Sequence, residues 1–542
     1  MRHPLSRSAV VVLVATSTAC VGEMPPPPQI TVTSPERGLV QGHAGQVVVK
    51  GVASPGVSGS PVTSVTVNRV PAMLAADGSF TAVVDVPPGA MLLETSAFSA
   101  EGGSVTDARA VQVGELRPVG TTIERAATAA LSTDAFARLS AVAGPKVKSM
   151  DLMAKLAPLQ PMANLGDDLA NVKVSITKLT FGDVKISLAP VDGGLEFSAT
   201  IDALNVAANA AYGGALVPDG TSSVGVTADR VTLAGTLVVT PAGTDGFSTA
   251  IASPTVRATS LRLQASGLAG KILDLLQDNL ESTVQRVLTS SAEKALQPLI
   301  NSAFGALAGP KRIDVLGKTL ELQASPSAVQ FTRTGALVTM NLGVKIAGSE
   351  SSPGFVFTPN GTPSIDMNTG VQVGLADDLI NELLAEVHAL GLLDLHLEED
   401  FGLFDTADIK LTVPPMVSAN NSDGTMRLVL GDMIATFSEE GKTVISAALN
   451  AQVDLALLRG NTPEQIALKF GKVHAFVNVL DDETGMLGSD LSGAAAAGIG
   501  IQLDSLSQFL VTVPVPSVAG VTLDNLSLRA DSGYVIASGS VH

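Results

Sequence analysis

The sequence predicts an α+β protein in which a small N-terminal β-sandwich precedes two related halves, each an antiparallel sheet wrapped on a long helix. Short valine-rich segments separated by glycine and proline turns fill residues 30–115, a pattern typical of a sandwich. Beyond residue 120, strand-like alternation is interrupted by two long apolar stripes at helical spacing. The order helix, strands and helix occurs twice, which indicates a duplicated and elongated unit.

Composition restricts the classes of protein to which the chain can belong. Its 542 residues exceed the size of one hydrophobic core, and 46% of them are hydrophobic with no Trp and only 2 Tyr. The core is therefore aliphatic and prone to form strands. A net charge of -18 repels nucleic-acid phosphates and anionic membrane surfaces, so we expect no nucleic-acid binding.

The first 19 residues have the layout of a signal peptide, with basic Arg2 and Arg7 before a short apolar run. Small residues then lead to Cys20, the single cysteine of the chain. We expect lipidation of Cys20 and a membrane anchor, followed by a proline-rich tether over residues 20–29. Val21 after the cysteine favours the outer membrane of the cell envelope, by analogy with lipoprotein sorting. Ordinary cleavage, leaving Cys20 as a free thiol, is the alternative.

Residues 30–115 are predicted to form short strands at residues 30–33, 47–50, 65–67, 80–84 and 110–113. The stretch from Ser64 through Ala76-Asp-Gly-Ser-Phe80 to Pro87-Pro-Gly89 resembles the repeat of bacterial immunoglobulin-like modules. That resemblance implies an immunoglobulin-like β-sandwich that acts as a spacer or an adhesion unit, and we favour the spacer.

Residues 120–310 are predicted to form the first half. Apolar residues from Ile123 to Leu139 at helical spacing predict an opening helix from Thr121, and alternating strands follow from Val172. A long helix is then predicted over residues 268–307, with Pro298 as a kink. Its apolar stripe includes Ile272, Leu276, Leu280, Val284 and Val287.

Residues 311–542 are predicted to hold a central sheet and the second half. Asp377 and Asp378 are a good helix start, and Gly391 is a good helix end. Between them an apolar stripe contains Leu379, Leu383, Val387 and Leu390. Further strands, a weaker helix over residues 487–510 and closing strands over residues 521–541 complete the pattern.

Four stretches in the second and third regions resemble the bactericidal/permeability-increasing and lipopolysaccharide-binding protein family. They are residues 172–205, the helix end at 295–300, residues 373–395 and residues 513–539. The resemblance implies two barrels that each enclose a long helix and hold a lipid acyl chain, as in the wider tubular lipid-binding group. The family's disulfide cannot form with one cysteine, and its basic tip does not fit a charge of -18.

The resemblance implies a lipid-binding or lipid-transfer envelope lipoprotein whose partner is a phospholipid or another acyl-chain lipid. The two helix stripes supply the pocket candidates, although closed core is the commoner role of such residues. The histidines are dispersed and no Gly-x-Ser-x-Gly motif occurs, so we expect no enzyme activity, metal or cofactor. An adhesion or spacer lipoprotein with closed barrels is the alternative, and an esterase is a third hypothesis. The sequence does not determine the oligomeric state.

Overall fold

A computed structural model describes most of the chain between residues 27 and 541. The described ranges are 27–57, 59–149, 151–157, 160–243, 246–265, 272–279, 282, 289, 311–315, 318–348, 354–398, 405–420, 425–459, 465–483, 513–514 and 523–541. Cys20, the signal peptide, most of the helix predicted over residues 268–307 and the helix predicted over residues 487–510 lie outside these ranges.

The described residues are mostly β-strand, so the predicted α+β class with sheets wrapped on long helices is wrong. The helices among them are short. They are α1 (Thr133–Lys148), α2 (Leu152–Leu156) and α3 (Asp377–Ala389), and residues 272–279 are also helical.

The N-terminal sandwich consists of two sheets packed face to face. Its strands are β1 (Gln29–Ser34), β2 (Leu39–Gln41), β3 (Gly45–Ser54), β4 (Val62–Val67), β5 (Val70–Pro71), β6 (Met73–Leu74), β7 (Ser79–Val86), β8 (Gly89–Ser99) and β9 (Ser104–Val113). One sheet has the order β1-β3-β7-β6 and the other β2-β9-β8-β4-β5, and alternate valines of both fill the space between them. The five predicted strand segments lie within β1, β3, β4, β7 and β9, whereas β8 was not predicted.

The next nine strands follow the sandwich, and the last seven of them form what we call the first sheet. The bounds are β10 (Glu115–Arg117), β11 (Ile123–Ser132), β12 (Ala163–Gly166), β13 (Asn171–Thr180), β14 (Val184–Val191), β15 (Gly194–Gly214), β16 (Val217–Pro241), β17 (Phe247–Thr259) and β18 (Arg262–Ala265). The first sheet is antiparallel with the order β12-β13-β15-β16-β17, with β14 on β15 and β18 on β16.

The remaining strands belong to the central sheet, the second sheet and a separate two-stranded sheet. They are β19 (Lys311–Val315), β20 (Lys318–Thr332), β21 (Gly335–Ile346), β22 (Phe355–Phe357), β23 (Val371–Ala376), β24 (Leu395–Glu398), β25 (Thr406–Leu411), β26 (Met416–Ser418), β27 (Met426–Glu439), β28 (Lys442–Arg459), β29 (Gln465–Asp482), β30 (Val513–Pro514), β31 (Leu523–Asp531) and β32 (Tyr534–Val541). The central sheet has the order β19-β20-β21-β11-β23-β32-β31, and β22 pairs with β10 in the two-stranded sheet. The second sheet has the order β24-β25-β27-β28-β29-β30, with β26 on β27.

The helix predicted to open the first half from Thr121 is wrong, because Ile123–Ser132 is strand β11 in the middle of the central sheet. Ala126, Ala127, Ala130 and Leu131 are all buried there. A strand covered on both faces is apolar at successive positions, and such a run matches helical spacing as well as it matches a strand. The helix α1 begins only at Thr133.

The main hydrophobic core lies between the central sheet and one end of the first sheet. In β15 the buried side chains are at odd positions near Leu195 and Phe197, and at even positions from Leu204 onward. Ala203 separates the two stretches and has a left-handed φ of 52°. The alternation therefore shifts by one residue, so the far end of the first sheet buries its opposite set of side chains in separate clusters.

Candidate functional site

An apolar cluster at the far end of the first sheet contains two of the predicted pocket residues. Ile272 and Leu276 lie one helical turn apart on the helical residues 272–279, and both are buried. Their neighbours are side chains of β13, β15 and β16, namely Val172, Ala210, Val217 and Val224. Ala210 is fully buried, so a small side chain of the sheet faces larger ones of the helix.

The other pocket candidates do not join this cluster. Leu280, Val284 and Val287 lie outside the described residues. On α3, Leu379 packs against the main core, whereas Leu383 and Val387 pack with Leu320 and Ile346 of the central sheet. Leu390 follows the helix and is 41% exposed. The structure thus groups the described candidates into separate clusters, and their role in binding lipid stays a prediction.

Helix α3 also has a polar face that is buried. Asp377, Asp378, Asn381, Glu382 and Glu386 are all buried. Steps of four residues form two neighbouring rows along the helix, one from Asp377 to Asn381 and one from Asp378 through Glu382 to Glu386. Charged side chains are rarely buried unless each is paired or hydrogen-bonded. Most partners of these residues are backbone groups at the edges of strands, and the others belong to Gly120, Thr358 and Asn360.

Glu382 and Glu386 accept hydrogen bonds from the edge of β21 beyond the point where its neighbour β11 ends. The Val344 amide donates to Glu382 Oε2 at 3.4 Å, and the Ile346 amide donates to Glu386 Oε2. Four residues of helix rise about 6 Å, and two residues of strand rise about 6.7 Å, so the two spacings match. Glu382 Oε1 also accepts from the amide of Gly120 at 2.7 Å.

Asp377 and Asn381 bind the free edge of β26 in the same way. Asn381 pairs with both backbone groups of Val417: its Nδ2 donates to the carbonyl at 2.9 Å, and its Oδ1 accepts from the amide at 2.7 Å. The amide of Ala419 donates to Asp377 Oδ2 at 2.8 Å. One helix therefore completes a strand edge in the central sheet and another in the second sheet.

Asp378 holds the segment that follows β22. Its Oδ1 accepts from the amide and the hydroxyl of Thr358 at 2.9 and 3.0 Å, and its Oδ2 accepts from Asn360 Nδ2 at 2.9 Å. Because each described hydrogen bond of the Asp378 carboxyl is donated by its partner, the ionised form of this carboxyl fits the geometry.

Burial changes the proton affinity of this face. Removal from water raises the pKa of Asp377 to about 7, that of Asp378 to about 6 and that of Glu382 to about 8. The hydrogen bonds from backbone amides oppose the shift in each case, and the neighbouring acidic groups add to it for Asp377 and Glu382. These three carboxyls therefore exchange protons within the range from about pH 6 to about pH 8.

This site can hold strand edges in place through hydrogen bonds, and its carboxyls can bind and release protons. Within the described ranges, no three His, Cys, Asp or Glu side chains come together as a metal site requires. None of the helices that the structure describes has the length and apolar character needed to cross a bilayer.

The sequence identified Asp377 and Asp378 only as a helix start, and that prediction is confirmed because α3 begins at Asp377. Gly391 also ends the helix as predicted, with a left-handed φ of 66° and its amide bonded to the carbonyl of His388. The buried polar face was missed. The available signal was the recurrence of acidic residues at helical spacing beside the apolar stripe.

Comparison with known proteins gives loose structural likenesses. No family model and no curated protein matches the chain. A structure of lipopolysaccharide binding protein is 16% identical, covers 78% of this chain and 99% of its own, and has a TM-score of 0.38. P47 of Clostridium botulinum E1 is 9% identical, with coverages of 78% and 100% and a TM-score of 0.27. P47 from Clostridium botulinum A2 is 7% identical, with coverages of 77% and 98% and a TM-score of 0.24.

A lipopolysaccharide binding protein is thus among the structures to which this chain is similar. The immunoglobulin-like assignment of the N-terminal sandwich stays a prediction.

Proposed function

We propose that the protein is an envelope lipoprotein that binds or transfers a phospholipid or another acyl-chain lipid in the apolar cluster of the first sheet. The supporting observation is the placement of Ile272 and Leu276 against the sheet, where the small side chain of Ala210 lies in the same buried cluster. An acyl chain between such a helix and such a sheet contacts mainly aliphatic groups, with Tyr212 beside them. Burying roughly 14 methylenes at about 0.8 kcal/mol each contributes on the order of 11 kcal/mol before ordering costs.

Lipid content and a filling substitution test this proposal. The protein is purified without detergent from its native envelope, extracted and examined by mass spectrometry, and we expect about one acyl-chain lipid per chain. Ala210→Phe places a ring in the apolar cluster and should abolish lipid recovery, because the added volume takes the place of the acyl chain. Ala211→Phe is the matched control, since Ala211 is exposed and points to the opposite face of β15.

The outcome against lipid binding is equally specific. A wild-type protein that is empty after native purification, and that moves no lipid between vesicles, is a spacer and not a carrier. Because Ala210→Phe also strains the core, its thermal unfolding is compared with that of Leu276→Ala. That second variant removes volume and should keep the lipid.

The proposed anchor has its own test. We expect Cys20→Ser to eliminate incorporation of labelled fatty acid and to move the protein from the membrane fraction to the fluid of the envelope, because Cys20 is the only thiol available for acylation. Fractionation and fatty-acid labelling measure both effects. Membrane attachment that persists in Cys20→Ser contradicts lipidation at this residue.

A rigid spacer or adhesion protein is the second candidate function. The observation in its favour is the set of bonds through which α3 connects the central sheet to the second sheet, since these bonds hold distant segments in fixed positions.

A further inference from the structure

Strand β9 of the N-terminal sandwich has one edge whose hydrogen bonds are not made by another strand. β8 pairs with β9 along residues 104–113, whereas β2 pairs only with residues 111–113. Among the strands that the structure describes, none pairs with the remaining part of that edge. An unpaired edge exposes amide and carbonyl groups that need partners once they are buried.

Side-chain amides of the second sheet supply those partners. The Ala108 amide donates to Asn478 Oδ1 at 3.1 Å, and Asn450 Nδ2 donates to the Ala108 carbonyl at 2.9 Å. Asn478 Nδ2 donates to the carbonyl of Thr106 at 3.0 Å. Thr106 and Ala108 are alternate residues, so their groups point to the same edge of β9.

Asp432 lies beside Asn450 and Asn478, and the three side chains form a row along the edge of β9 to which Asp432 adds a charge. It accepts from the Ala110 amide at 3.0 Å, from the Gly38 amide at 2.9 Å and from Arg37 Nη1 at 2.7 Å. Asn450 forms two hydrogen bonds with this residue: its Nδ2 donates to Asp432 Oδ1 at 3.0 Å, and its Oδ1 accepts from the backbone amide of Asp432 at 2.7 Å. Asp432, Asn450 and Asn478 belong to the neighbouring strands β27, β28 and β29.

The row is desolvated and locally strained, as expected for a permanent contact. Asp432 and Asn450 are both 0% exposed. Asp432 has a left-handed φ of 43° where the register of β27 shifts between Leu430 and Met433. A buried carboxylate and a strained backbone persist only where their surroundings hold them in place.

The apolar part of the same contact leaves little room for separation. Leu92 and Ala110 of the sandwich form a buried cluster with Val429 of the second sheet. Gly431 approaches so closely that a Cβ at this position would lie 2.3 Å from the Cβ of Ala110. Glycine is therefore required by the close approach of the two sheets.

We propose that the N-terminal sandwich is an integral part of the second half of the protein and not a movable spacer. Asp432, Asn450 and Asn478 act as a receptor for the edge of β9, and the sandwich of the same chain is its partner. The sandwich and the second sheet consequently move and unfold as one unit. This differs from the spacer role that the sequence indicates for residues 30–115.

Hydrogen exchange of the full-length protein tests this inference. In the wild type, the amides of Ala108 and Ala110 should exchange as slowly as the β9 amides that pair with β8, and heating should unfold the sandwich and the second sheet in one transition. Gly431→Ala introduces one methyl group into the contact and should speed exchange of both amides by about tenfold or more. Gly42→Ala is the control, because its nearest neighbour is Leu116 at 4.0 Å.

Asp432→Asn keeps the shape of the side chain and removes its charge, so it should speed exchange at Ala110 more than in β3, which lies in the other sheet of the sandwich. Fast exchange of Ala108 and Ala110 in the wild type overturns the inference, as does a separate melting transition of the sandwich. A wild-type dimer in which the sandwich of one copy docks on the other copy also overturns it, and size-exclusion chromatography over a range of concentrations detects that arrangement.

Discussion

The free energy of unfolding should fall by several kcal/mol as the pH rises from 5 to 9. The cause is the buried acidic face of α3, where removal from water raises the pKa of Asp378 to about 6, that of Asp377 to about 7 and that of Glu382 to about 8. Urea unfolding at a series of pH values at fixed ionic strength measures the effect.

The sign follows from proton linkage. In the unfolded chain these carboxyls have pKa values near their ordinary values of 3.8 for Asp and 4.5 for Glu, so between about pH 4.5 and pH 8 the folded protein binds more protons. Stability therefore decreases as the pH rises through this window. The contribution is fully present below the unfolded pKa and is lost as the pH passes the folded pKa values.

A variant assigns the effect to the helix. Glu382→Gln should flatten the pH dependence, because it removes the carboxyl with the highest folded pKa while keeping an oxygen for the amide of Gly120. Glu101→Gln, at an exposed turn of the sandwich, should leave the slope unchanged. The titration of the buried α3 carboxyls is contradicted if stability increases from pH 5 to pH 9. It is also contradicted if Glu382→Gln leaves the slope of stability against pH unaltered.

The sequence predicted where α3 begins and ends because those signals are local. Acidic residues at its first turn and Gly391 after its last turn act on the groups at the helix ends. The partners of its polar face are not local. Glu382 meets Val344, and Asp377 meets Ala419, so the pairing depends on where two sheets end and not on the pattern of the helix itself.

Strand β11 and the row on the second sheet show two other limits of a single sequence. The alanines of Ile123–Ser132 are small enough to be buried on both faces of the central sheet, so no alternation marks them as strand. Asn450 and Asn478 have the polarity expected of solvent-facing positions in alternating strands, and only the docked sandwich gives them their function.

Asn381→Ala should destabilise the protein by about 3 kcal/mol, because it leaves the amide and the carbonyl of Val417 buried without their partner. Asn381 is 3% exposed, so water does not replace the lost bonds in an unrelaxed structure. Alanine has the higher helix propensity, which acts in the opposite direction and makes any loss attributable to the edge of β26. Asn368→Ala, at an exposed turn, is the control and should change stability by less than about 0.5 kcal/mol. Equal urea midpoints for the two variants would show that α3 does not complete the edge of β26.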